Sequence, residues 1–195
     1  VLAGYALYWV VGIVDPHVYR VSFLLVAIVL TILAHPSGST KLHLAWDGLW
    51  VALTIAAFVW PLLDIDAFVN RAATPNTIDV VAGVIALVVV LESTRRTTGW
   101  VLPVTALVFL AYAATGPVLD RIGLDLIAHR GYGISRLIGT IYMTLEGIFG
   151  VPLDLAKTYI VLFTIYGAIL EHSGAGRFFV DWTTAAIGRS GKGAG

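Results

Sequence analysis

The chain has 195 residues, of which 58 % are hydrophobic and only 12 % charged, with 12 Lys+Arg set against 12 Asp+Glu; its mean hydropathy is +0.90. Soluble domains carry about a quarter charged residues and disordered chains lack large apolar side chains, so the composition excludes both. Balanced charge with no basic stripe argues against nucleic acid as a partner, and a chain without cysteine has no disulfide, thiolate metal site or cysteine nucleophile.

Taken in chain order, the charges divide the sequence into apolar runs. Val1 to Val14 carries none before Asp15-Pro16. Val21 to Thr40 is an uncharged run of 20, whose helix is expected to stop at Ala34, ahead of His35-Pro36. Gly48 to Leu63, Val80 to Leu91 and Thr97 to Leu119 follow, the last of them 23 residues long. Leu137 to Leu153 is interrupted only by Glu146, Thr158 to Leu170 is a seventh run, and Phe178 to Ile187 carries Asp181. About 20 helical residues at ~1.5 Å each cross the ~30 Å hydrocarbon core. The second and fifth runs are therefore long enough alone. The others reach only by entering the interface, or they are short buried or re-entrant helices. No run alternates as a barrel strand would. The expected fold class is all-α: a polytopic helical integral membrane protein with about five to eight apolar helices, interrupted and short toward the C-terminus.

The breaks have the chemistry of helix ends. Asp15-Pro16, Pro36-Ser37-Gly38-Ser39, Pro75-Asn76, Gly116-Pro117, Gly150-Val151-Pro152 and Ser173-Gly174-Ala175-Gly176 combine helix breakers with small or polar residues. Asn76-Thr77-Ile78-Asp79 reads as an N-cap with an acid in the first turn. Trp46, Trp50, Trp60 and Trp100 stand near run ends, where indoles favour the membrane interface. Val1 opens without the basic segment of a signal peptide, and both termini fall inside the apolar pattern. The expectation is a fragment of a larger permease-sized chain.

Few residues invite chemistry. The tail Gly188-Arg189-Ser190-Gly191-Lys192-Gly193 has glycine after its lysine where a phosphate loop needs Ser or Thr, and no strand precedes it, so it reads as a basic connector. His17, His35, His43, His129 and His172 fall in loops or at helix ends rather than facing each other inside a bundle, which disfavours haem. Glu92, Glu146, Glu171 and Asp181 lie in or against apolar runs, where an acid is costly and marks function or pairing. Glu92 has Arg95 and Arg96 at i+3 and i+4, so a structural ion pair outweighs an ion pathway there. Glu146 stands beside a polar stripe of Arg136, Thr140, Thr144 and Gly147 at helical spacing, and it joins Glu171 as an intramembrane polar candidate. No Ser-His-Asp order or metal-spaced cluster is present, and nothing supports an enzyme. Short interrupted apolar segments point instead to a transporter.

The stretch from Leu63 through LESTRRTTGWVLP to Gly116-Pro117, then TLEGIFGVP and SGAGRFF, resembles the fused permease subunits of tripartite ATP-independent periplasmic (TRAP) transporters of the TAXI type. In that family a small four-helix subunit is fused to a large, DctM-like transport subunit. The resemblance implies a small-subunit-like part over 1–95, a connecting helix and periplasmic loop over 96–135, and the start of the large subunit over 136–195. It implies a multi-pass inner-membrane permease that takes small organic acids (carboxylates) from a periplasmic substrate-binding protein. Sodium is then the coupling ion, no other cofactor is expected, and the sodium-binding loops fall beyond Gly195. An elevator motion against a fixed scaffold would be the mechanism. The alternative is a non-transporting structural subunit of a larger complex, a scaffold or a respiratory subunit. Arg95 and Arg96, with Glu92, are expected to anchor topology at the lipid head groups, and Arg121 and Arg130, in the mixed-charge 116–136 connection, to dock the binding protein, with an ordinary solvated loop as the equal alternative. A bare count of Lys and Arg puts the face of Arg20, Arg71, Arg121, Arg130 and Arg136 in the cytoplasm; the resemblance instead puts Lys41, Arg95 and Arg96 there.

Overall fold

A computed structural model of the protein describes residues 2–12, 15–121 and 130–188. Its helices are α1 (Leu2–Val11), α2 (Pro16–Ala34), α3 (Lys41–Leu63), α4 (Ile65–Asn70), α5 (Thr77–Thr98), α6 (Val101–Arg121), α7 (Ile134–Met143), α8 (Val151–His172) and α9 (Ala175–Gly188). No strand occurs among the described residues. Four helices, α2, α3, α5 and α8, are long and apolar enough to cross a membrane, as an all-α polytopic architecture requires.

Local chemistry sets the ends. The Asp15 carboxylate accepts from the backbone N–H of His17 at 2.7 Å and of Val18 at 3.3 Å, with Pro16 in the first turn of α2. Asn76 and Asp79 close a reciprocal capping box at the start of α5, as their spacing predicts. At the other end of α5, Gly99 takes φ +81°, a conformation that costs a residue with a Cβ. That turn splits the fifth apolar run, so α5 ends at Thr98 and α6 starts at Val101.

α5 is the centre of the bundle, packing against α2, α3, α6 and α7. Its buried Ala82, Ala86 and Val89 meet Ile28 and Ile32 of α2, Ala57 and Phe58 of α3, and Ile138 and Tyr142 of α7 in one apolar core. α1 is pinned to α2 by Tyr5, whose hydroxyl donates to Ser22 Oγ at 2.5 Å, and by Trp9 stacked on Tyr19. The outer face of α6, with Val101, Leu102, Val104, Val108 and Phe109, is exposed. A surface of that composition is stable only against an apolar surrounding such as lipid.

Two expectations are corrected. The run from Leu137 to Leu153 is not one helix: α7 ends at Met143 and the chain turns back through 144–150. Ile148 N–H donates to Ile141 C=O at 2.8 Å, and a Cβ on Gly147 would stand 2.1 Å from that same oxygen, so only glycine permits the return. Conversely, the run from Thr158 is not a short piece. It belongs to the 22-residue α8, which starts at Gly150-Val151-Pro152 and widens into a π turn over Ala156–Ile160.

Candidate functional site

Three charged clusters tie the helices together, and each grows from a helix end. The first joins the C-terminal end of α5 to the α2–α3 turn. Asp47, one and a half turns into α3, accepts from Ser37 N–H at 3.0 Å, Ser37 Oγ at 2.7 Å and Arg96 Nη1 at 2.7 Å. Arg96 also donates to His35 C=O at 3.1 Å and, through Nε, to Glu92 at 2.8 Å. Arg95 makes a fork to Glu92, with both bonds at 2.7 Å, and its guanidinium lies 5.2 Å from the Trp100 ring centre. The Arg96 side chain is 4 % exposed and that of Asp47 8 %. Ion pairs so deeply buried are held by geometry rather than by surface attraction.

The second cluster sits where α3, α4 and α5 meet. Asp79, fully buried, accepts from Trp60 Nε1 at 2.9 Å, Arg71 Nε at 3.1 Å and Asn76 N–H at 3.2 Å. The hydrogen bond to Asp79 raises the Arg71 pKa above its ordinary value, so the guanidinium stays charged at any physiological pH. Nearby, Tyr142 of α7 donates to Ala57 C=O. Pro61 lies four residues on in α3 and has no N–H to offer that carbonyl.

The third cluster joins the beginning of the chain to α8. Arg20 Nη1 donates to Phe149 C=O at 2.7 Å, and its Nη2 lies 3.1 Å from Asp154. Lys157, in the π turn, is 7 % exposed; its Nζ lies 2.9 Å from Asp154 and 4.1 Å from the Tyr19 ring centre. π turns of this kind recur at functional sites.

The structure brings Glu92, Arg95 and Arg96 together as their spacing predicts, and it adds Asp47, which sequence reasoning missed by opening the third apolar run at Gly48. Asp47-Gly48 between Trp46 and Leu49 was the available signal, an acid beside an apolar run. Glu146 is exposed in the turn after α7, two residues beyond Thr144, so the stripe of Arg136, Thr140, Thr144 and Gly147 does not continue on a helix past Met143. Glu171 is exposed in the last turn of α8. Arg130 is exposed ahead of α7. The Arg121 side chain, residues 122–129 with Asp125 and His129, and the tail from Arg189 lie outside the described residues.

Apolar helices of spanning length, cross-linked by buried ion pairs and carrying outward apolar faces, define a polytopic helical membrane protein. The family model of the tripartite ATP-independent periplasmic transporter, DctM component, matches residues 84–195. The chain belongs to that family, a family of transporter permeases. No curated protein and no solved structure matches it.

Proposed function

We propose that the chain is membrane scaffold for a sodium-driven importer of small organic acids delivered by a periplasmic binding protein. Membership of the DctM family over 84–195 is the observation that carries this reading. The buried charges support the scaffold role: Asp47, Asp79, Arg96 and Lys157 are each engaged by a charged partner within the chain. An elevator needs such a rigid wall for its moving part to slide against. The same observation favours, as a second reading, a structural subunit with no transport path of its own.

Proteoliposomes holding the full-length protein, with an inward sodium gradient, separate the two. The expected result is uptake of a labelled carboxylate only when both sodium and the loaded binding protein are present, with no nucleotide required. Uptake without sodium, or without binding protein, removes the tripartite mechanism, and no uptake under any condition leaves the structural subunit.

The proposed orientation places the 35–40 turn and Arg95-Arg96 in the cytoplasm and the α4 connection outside. Ser39 and Asn70 are both exposed and the chain has no cysteine. A single cysteine at Asn70 is expected to react with an impermeant maleimide in intact spheroplasts, and one at Ser39 only after permeabilisation. The reverse pattern overturns the orientation and restores that given by the charge count.

A further inference from the structure

Helices α6 and α7 both pack on α5 and leave a wedge between them. It holds an open groove of 450 Å³, almost wholly apolar, lined by residues such as Leu87 and Val90 of α5, Leu110 and Ala113 of α6, and Leu137 and Ile141 of α7. At Ala113 it meets a second cavity of 530 Å³, whose walls include Tyr112, Tyr132, Arg130 and Arg136. Tyr132 N–H donates to Ala113 C=O at 3.0 Å, which fixes the 130–133 segment against α6. Arg136 lies 5.5 Å from the Tyr132 ring centre. Arg20, Arg71, Arg95 and Arg96 all have carboxylate partners. Among the described residues Arg130 and Arg136 have none, as Arg177 of α9 has none, and Arg130 and Arg136 are both exposed.

A cationic, tyrosine-walled cavity that continues into a hydrocarbon groove has the two-part chemistry of an amphiphile. We propose that this wedge binds one anionic phospholipid, its phosphate between Arg130 and Arg136 and an acyl chain in the groove of α5, α6 and α7. A free anion or an acidic protein side chain would use the arginines and have no use for the groove. Tyrosine and arginine together are the residues that hold a helix at head-group level. None of the ion-pair residues lines either opening, and the site does not depend on the transport reading.

The test uses the full-length protein in mild detergent, with phosphatidylglycerol, phosphatidylcholine and inorganic phosphate as probes and retained lipid counted by native mass spectrometry. Phosphatidylglycerol is expected to be retained over phosphatidylcholine. The R130Q/R136Q pair is expected to weaken its retention about thirtyfold, from two cationic contacts of about 1 kcal/mol each. Ala113→Phe, which fills the groove and leaves both arginines, is expected to displace the lipid as well, while Arg136→Lys, which keeps the charge, is expected to hold it. Retention unchanged in R130Q/R136Q or in A113F overturns the proposal. So does inorganic phosphate competing as well as the lipid, which would mean a bare anion site. Competition by the binding protein instead would assign Arg130 to docking, as the mixed charges of the 116–136 connection suggest, and would also overturn it.

Discussion

Replacing Asp47 with alanine is expected to destabilise the protein by about 3–5 kcal/mol, the scale at which one partner of a buried ion pair is lost. The reason lies in what remains. Asp47, Glu92, Arg95 and Arg96 form a neutral set in which Asp47 accepts from two Ser37 donors and from Arg96 Nη1. Without it the set carries a net positive charge inside the bundle, both Ser37 donors lose their acceptor, and Arg96 Nη1 keeps only His35 C=O. Thermal unfolding of the purified protein in detergent checks this. Asp47→Asn, which still accepts one hydrogen bond but carries no charge, should fall between alanine and wild type. The D47L/R96L pair, which removes both charges, should be more stable than D47A alone. A D47A protein as stable as wild type would show that the α2–α3 turn does not depend on this clamp. Arg96 therefore has a structural role beyond topology: its loss should loosen α5 from α2 and α3 even where insertion is normal.

Tyr142→Phe is expected to cost about 1–3 kcal/mol, the penalty of an unsatisfied buried carbonyl. The phenol packs edge-on against Phe68, with ring centres 5.3 Å apart, and is fully buried, so the ring itself would keep its packing as phenylalanine. What is lost is the donor to Ala57 C=O. That carbonyl needs a donor from another helix because Pro61 interrupts the α3 ladder. The test is a cycle with Pro61→Ala. In the P61A background residue 61 supplies its own N–H, so Tyr142→Phe should then cost little, and the two substitutions should couple by more than about 0.5 kcal/mol. Equal costs in both backgrounds would mean that the Tyr142 hydroxyl acts independently of Pro61, and no cost in either would mean that α7 is held by packing alone.

Much of the framework is legible locally. Long uncharged runs can only be helices in lipid, because each helix satisfies its own backbone. The Asn76–Asp79 capping box and the Glu92 pairs with Arg95 and Arg96 lie within one helical turn, so spacing alone reveals them. The resemblance read from the sequence and the family match agree on a DctM-type permease.

What the chain order conceals is who meets whom across the bundle. Asp47 and Arg96 are 49 residues apart, Tyr142 and Ala57 85, and Arg20 and Phe149 129. Hydropathy identifies a segment as buried in something apolar, but it has no term for the angle at which two helices cross. The turn at 144–150 escaped for a related reason: its residues are apolar enough to continue a helix, and only the close contact of Gly147 with Ile141 C=O shows that they turn back. Local hydrogen bonding and the cost of bare backbone in lipid thus determined the helical class and the helix caps. Which buried charges meet across the bundle, Asp47 with Arg96 and Asp79 with Arg71, was decided by tertiary packing, because a charge in a low-dielectric interior is stable only where a partner reaches it.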